Sequence, residues 1–200
     1  RHLEVPHQRG VLRVERPLAV LGKLGLAFRD PVRRRGRVVC LVKLRHAADG
    51  DRDALESFDL GDTTAPWLRE VEEIVAGLLG WRSDPDAVDE DRQVIVAEND
   101  GQIVAVAAHV RLVDTAGKSM PEHRYLMVTA VRDDQRRSGL ARHLVESALT
   151  DLAGHGVRSV EWLVHPSNLT SIGFSRSVFP EADETYPPED KPYVSFALGL

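Results

Sequence analysis

The sequence predicts a mixed α/β sandwich, a sheet with helices on both faces. Three observations predict it. β-prone runs alternate with runs of helical apolar period along most of the chain. Asn99-Asp100-Gly101 separates two of the β-prone runs, and Asp-Gly is a strong hairpin turn. The second half then reads strand, helix, strand, helix, strand.

Residues 1–35 form an arm with little pattern. Val11-Leu12-Arg13-Val14 suggests a short strand. Leu18 to Phe28 is apolar but holds Gly22 and Gly25, each costing a helix roughly 1 kcal/mol. Val38 to Val42 is a continuous β-prone run, as in a buried strand, and Cys40 sits in it as a core residue. Asp51 to Phe58 suits a short helix. Over 65–79, Trp67, Leu68, Val71, Ile74, Val75, Leu78 and Leu79 fall on one helical face, with Pro66 in the first turn and Gly80 past the end. Residues 93–98 and 103–108 are the two arms of the hairpin. After a loop at 114–121, Tyr125 to Val131 is a strand. Leu140, Leu144, Ala148 and Leu152 recur every four residues in a helix over 139–153 that Gly154 ends. Val157–Val164 reads as a strand and Asn168 to Val178 as a helix. A Pro-rich loop, 180–192, leads to a last strand, Tyr193–Leu198.

The chain has 200 residues, 42% hydrophobic and 28% charged, in the range of one globular domain or a domain with an arm. A single cysteine excludes an intramolecular disulfide and a multi-cysteine zinc site. The eight histidines form no HxxxH-type pair, so no metal is expected. No apolar run approaches the ~20 residues of a membrane span, and the first residues lack signal-peptide order, so the expected compartment is the cytoplasm. The net charge of −5 hides an asymmetry. Residues 1–50 carry 12 Lys/Arg against 4 Asp/Glu, and the remaining residues carry 14 against 27. An acidic body disfavours nucleic acid and favours small cationic partners.

Chemistry enters where the strand ending at Val131 meets the helix beginning near Gly139. Arg136-x-x-Gly139-x-Ala141 places small residues where backbone must approach a ligand closely. The free N–H groups of a helix's first turn, its dipole and the nearby arginines together suit an anion such as a pyrophosphate. The loop lacks the Gly-Lys-Ser/Thr of a nucleotide phosphate loop and the three spaced glycines of a dinucleotide fold.

This strand, loop and helix resemble motif A of the GNAT superfamily of N-acetyltransferases. The next strand, with Asn168 leading a helix, resembles that family's motif B, and the hairpin sits where the family has its second and third strands. The resemblance covers residues 37–200, so the chain divides into the arm, 1–35, and a GNAT-like domain, 36–200. It implies a mostly antiparallel sheet with one splayed parallel pair, acetyl-CoA as co-substrate and a primary amine as acceptor. Carried over, backbone groups of Thr129, Ala130 and Val131 hold the pantetheine. The N–H groups of Arg136, Arg137, Ser138, Gly139, Leu140, Ala141 and Arg142 hold the pyrophosphate, and Asn168 contacts the pantetheine arm.

Two positions depart from the family. The motif-B tyrosine, acid to the leaving thiolate, is replaced by Ser175, which can only donate a weaker hydrogen bond. The glutamate that some members carry early on the fourth strand is replaced by Tyr125. Strand alternation puts His123 on the same face as Tyr125, and histidine is the side chain whose ordinary charge change lies nearest neutral pH, so it is the first candidate base, ahead of Glu122, Glu98 and His109. Two other functions stay open. One is a toxin-type member that acetylates aminoacyl-tRNA, suggested by Phe58-x-x-Gly61 before Trp67-Leu68 and by Val164-His165. The other is a non-catalytic CoA-binding or interaction subunit, suggested by the two departures.

A free arm would expose Leu18, Leu21, Leu24 and Phe28 together, which soluble monomers rarely tolerate. The arm is therefore expected to pack on its own domain or across a homodimer two-fold. Deleting residues 1–35 should lower the melting temperature, and a homodimer contact would also show as a smaller species in light scattering. A truncated protein that keeps both mass and melting point would make the arm a tail.

Overall fold

A computed structural model describes residues 42–61, 65–80, 91–114, 116–186 and 193–200. The arm at 1–35 and nearly all of the expected strand 38–42, with Cys40, lie outside the described residues. The first described strand is β1, Lys43–His46, followed by two helices, α1 (Arg52–Glu56) and α2 (Pro66–Gly77). Strands β2 (Gln93–Asn99), β3 (Gln102–Val113) and β4 (Ser119–Val131) come next, then α3 (Leu140–Gly154), β5 (Ser159–Val164), α4 (Leu169–Val178), β6 (Asp183–Thr185) and β7 (Val194–Gly199).

The strands form one sheet in the order β1-β2-β3-β4-β5-β7-β6. Every neighbouring pair is antiparallel except β4 with β5. The β2–β3 turn takes positive φ at both Asp100 and Gly101, as its sequence predicts. Three elements depart from expectation. β4 begins at Ser119 instead of Tyr125, because its first residues pair with an equally extended β3. Its Pro121 is tolerated because the register shifts between Arg111 and Leu112, leaving residues 121–123 without β3 partners. Within the expected loop 180–192, Asp183-Glu184-Thr185 adds an edge strand on β7. Its Asp183 and Glu184 are poor strand formers, and Arg176 clamps Glu184 at 2.7 and 2.9 Å.

Alternation along the strands divides the core into two layers. Val94, Val96, Val106, Ala108, Val128 and Ala130 face α1 and α2, joined by Leu55, Val75, Leu78 and Leu79. Helix α2 ends at Gly77, and Leu78 and Leu79 cover this layer from the following turn. On the opposite face Ile95, Ala97, Ala105 and Ala107 meet Leu140, Leu144 and Ala148 of α3. Small residues on the sheet let α3 lie close to it. Farther along, Val145, Leu149 and Leu152 of α3 and Ile172 of α4 pack with Val160, Trp162, Val164 and Phe196. The Trp162 ring stacks on Phe196 at 5.4 Å and meets Phe179 edge-on at 5.5 Å. No helix among the described residues is long and apolar enough to cross a membrane.

Leu144 is fully buried where α3 crosses the small residues of the sheet. Leu144→Ala should cost about 2–5 kcal/mol. In a chain of this size that lowers the melting temperature by about 5 °C or more. A thermal scan with an unchanged midpoint would show that α3 is not held by this contact.

Candidate active site

The parallel β4–β5 pair is only three residues long. His123, Arg124 and Tyr125 pair with Ser159, Val160 and Glu161. β4 continues to Val131 and β5 to Val164, so beyond this pairing the two strands part and the sheet opens. A register shift between Ala108 and His109 leaves Met127 without a partner on β3, a bulge at the mouth of the opening. The Arg132 N–H donates to the Val104 carbonyl at 3.0 Å. By alternation, the backbone groups of Ala130 and Val128 also face β3, whereas those of Thr129 and Val131 face the opening. Of the three residues expected to offer backbone there, Ala130 is therefore engaged on the other side. The Thr129 hydroxyl is buried and has no protein partner.

At the end of β4 the chain turns through residues 133–135 into α3. Gly139 precedes the helix with φ +87°, and no side chain caps it in the usual way. The Ser138 hydroxyl donates to the Gln135 carbonyl at 2.6 Å, and its oxygen accepts from the Leu140 N–H at 3.3 Å. A Cβ on Gly139 would meet nothing within 4 Å, so open space faces the helix start. The arginines are less free than the sequence suggests. Arg132 grips Asp134 at 2.7 Å, Arg136 pairs with Asp133 at 3.0 Å and reaches the Leu60 carbonyl, and Arg142 pairs with Glu146 at 2.8 Å. Arg137, exposed and at φ 60°, has no partner among the described residues. A cleft of about 620 Å³ adjoins the loop on its α1 side, but Asp59, Asp133 and Asp134 line it and disfavour a phosphate there.

A family model described as "Acetyltransferase (GNAT) family" matches residues 52–178, more than half of the chain. The chain belongs to the GNAT family. Solved GNAT structures share its fold. The GNAT domain of S. lividans PAT superposes with a TM-score of 0.60 at 20% identity, covering 80% of this chain and 90% of that one. The PaiA N-acetyltransferase from Thermoplasma acidophilum, solved with coenzyme A, gives 0.58 at 11% identity over 80% and 99%. The ribosomal-protein-S18-alanine N-acetyltransferase from Escherichia coli gives 0.56 at 20% identity over 80% and 93%. At these identities the likeness is one of fold. No curated protein sequence matches. The protein is thus a GNAT acyltransferase.

Within the GNAT frame the candidate catalytic residues separate. Ser175 is buried, and its hydroxyl oxygen accepts from the Trp162 indole N–H at 3.0 Å. Asn168 caps α4, its side-chain oxygen accepting from the Ser171 N–H at 3.0 Å. His123 Nδ1 lies 2.6 Å from the Ser159 hydroxyl, and Nε2 lies 3.7 Å from Glu122. Glu98 is on β2, two strands from β4, and pairs with Arg45 at 2.7 Å. His109 pairs with Leu126, whose side chain packs on the α3 side, so it faces away from α2. Tyr125 lies on the α2 side at the start of the opening. Burial, reinforced by the negative charge of Glu70 and Glu161, pushes its hydroxyl up to about 12, so it stays protonated. Glu70 and Tyr193 had no sequence signal. Glu70 lies on the polar side of α2, and Tyr193 precedes the last strand. Among the described residues no cluster of three His, Cys, Asp or Glu could hold a metal.

His109 is 2% exposed, and its Nδ1 has no partner. Burial, then the positive charge of Arg124, pushes it down to about 4, with His46 adding to this and Asp91 and Asp151 opposing it. The folded protein thus holds it neutral, while the unfolded chain protonates it near 6.5. Stability should therefore fall by about 3 kcal/mol as pH drops from 6.5 toward 4. His109→Leu should show a shallower loss in denaturant titrations across that window, and an unchanged slope would place the pH dependence elsewhere.

Proposed function

We propose that the protein transfers the acetyl group of acetyl-CoA to a primary amine by direct attack. The observation that carries this reading is the opening between β4 and β5 with the start of α3, entered through Gly139, at its end. The fit to CoA rests on three features. Thr129 and Val131 present backbone groups along the opening, as a pantetheine amide requires. The buried Thr129 hydroxyl has no protein partner. The space at Gly139 admits a pyrophosphate beside the first-turn N–H groups and Arg137.

Acetyl-CoA, when bound, would supply a thioester whose C–S bond breaks as the C–N bond to the acceptor forms, the amine losing a proton and the thiolate gaining one. The chain's own residues do the rest. The Met127 N–H, at the bulge, can hold the carbonyl oxygen, a kind of interaction worth a few kcal/mol. The Ser175 oxygen already accepts from Trp162, so its hydroxyl proton alone is free to donate. Tyr125, kept protonated at the mouth, can orient the acceptor or donate a proton. His123, held by Ser159, lies on the same face two residues farther from the opening.

Gly139→Glu fills the phosphate position with a side chain and a like charge, at a backbone conformation that L residues resist. Acetyl-CoA binding in calorimetry should weaken by orders of magnitude. Undiminished binding would refute the placement, and the absence of thiol release with any amine would refute the transfer.

A further inference from the structure

The α2 side of the opening carries charge that neither the fold nor the proposed cofactor contacts use. Helix α2 packs across β4. From it, Glu70 reaches Tyr193, whose hydroxyl donates to the carboxylate at 3.0 and 3.2 Å. Tyr193 is held in turn by the His165 ring, edge-on at 5.9 Å. The His165 Nδ1 accepts from the Ser167 N–H at 3.2 Å, which fixes the ring. Across from this pair lie Tyr125 on β4 and its parallel neighbour Glu161 on β5. The charged groups that act on the Tyr125 hydroxyl are both carboxylates, Glu70 and Glu161. No Lys or Arg among the described residues pairs with Glu70, whereas Asp91, beside β4, has both Arg111 and Arg124.

Two carboxylates and two aromatic rings at the mouth make a place for positive charge. One carboxylate would serve the amine to be acetylated, but two exceed the need of a monoamine. A carboxylate on the acceptor would meet like charge from both. We propose that Glu70, positioned by Tyr193, is a specificity-determining residue of the acceptor site, and that this site selects short aliphatic amines bearing a second ammonium group over amines bearing a carboxylate. This rests on the transfer reading for its location at the opening, but binding tests it separately.

The probes are 1,4-diaminobutane and 4-aminobutyrate, which share a chain and differ in the charge at the far end. With acetyl-CoA saturating, thiol release should show kcat/KM at least tenfold higher for 1,4-diaminobutane. Glu70→Gln should bring the two within about threefold, mainly by raising KM for the diamine, and Tyr193→Phe should fall between. Both variants should bind CoA like the wild type, which verifies their folding. In calorimetry, 1,4-diaminobutane should bind the CoA-loaded protein, and Glu70→Gln should weaken this at least tenfold. Glu70-dependent binding without turnover would keep this inference and overturn the transfer reading. Turnover with equal use of both probes, or a preference that survives Glu70→Gln, would keep the transfer reading and overturn this one. Neither binding nor turnover of the diamine overturns it as well.

Discussion

Three parallel rungs between β4 and β5 decide the use of the whole sheet. They fix His123, Arg124 and Tyr125 against Ser159, Val160 and Glu161. Everything beyond them diverges, because β4 bends at the Met127 bulge while β5 stays bound to β7 on its other edge. A longer ladder would close the sheet and pair the amides of Thr129 and Val131. A shorter one would leave α3 to bridge strands that no longer touch. The fifteen residues of α3 span about 22 Å and return the chain from the end of β4 to the start of β5. The apolar layer under this helix, with Leu144 and the small residues of β2 and β3, therefore holds the opening as much as the core.

Electrostatics at the two ends of the opening differ in kind. At the α3 end, aspartates and a glutamate bind most arginines that might attract an anion, so attraction falls to backbone dipoles and to Arg137. Such attraction is short in range and survives in a chain of net charge −5. At the α2 end, Glu70 and Glu161 stand without a basic partner among the described residues and project a negative field. A sheet that presents oriented amides at one end and carboxylates at the other can separate an anionic ligand from a cationic one along a single strand.

Much of the fold was legible because its signals are local. The one-sided helix at 66–77, the Asp100-Gly101 turn and the four-residue period of α3 need no tertiary information. The loop before α3 was legible as a candidate site because Gly139 and its neighbours are contiguous. What stayed hidden depends on register. The early start of β4 and the Met127 bulge come from pairing with β3, which no single strand encodes. β6 is a strand only because β7 offers an edge. Glu70 and Tyr193 lie 123 residues apart, and nothing in either segment announces the other. At Ser175 the substitution was visible, but its bond to Trp162 was not.

Near the proposed phosphate end, Leu60 and Gly61 are pressed against the loop. A Cβ on Gly61 would come within 2.7 Å of Asp133 Cγ, and Arg136 reaches past it to the Leu60 carbonyl. The guanidinium that latches this segment belongs to the same loop that faces the anion position. Swinging Arg136 toward a bound phosphate would unlatch Leu60, so occupancy at one end of the sheet would be felt in the stretch of chain that leads into α2, the helix bearing Glu70. By reciprocity, whatever steadies that stretch also sets how readily the loop releases its arginine. The two halves of a ternary complex would then assemble in a preferred order rather than independently.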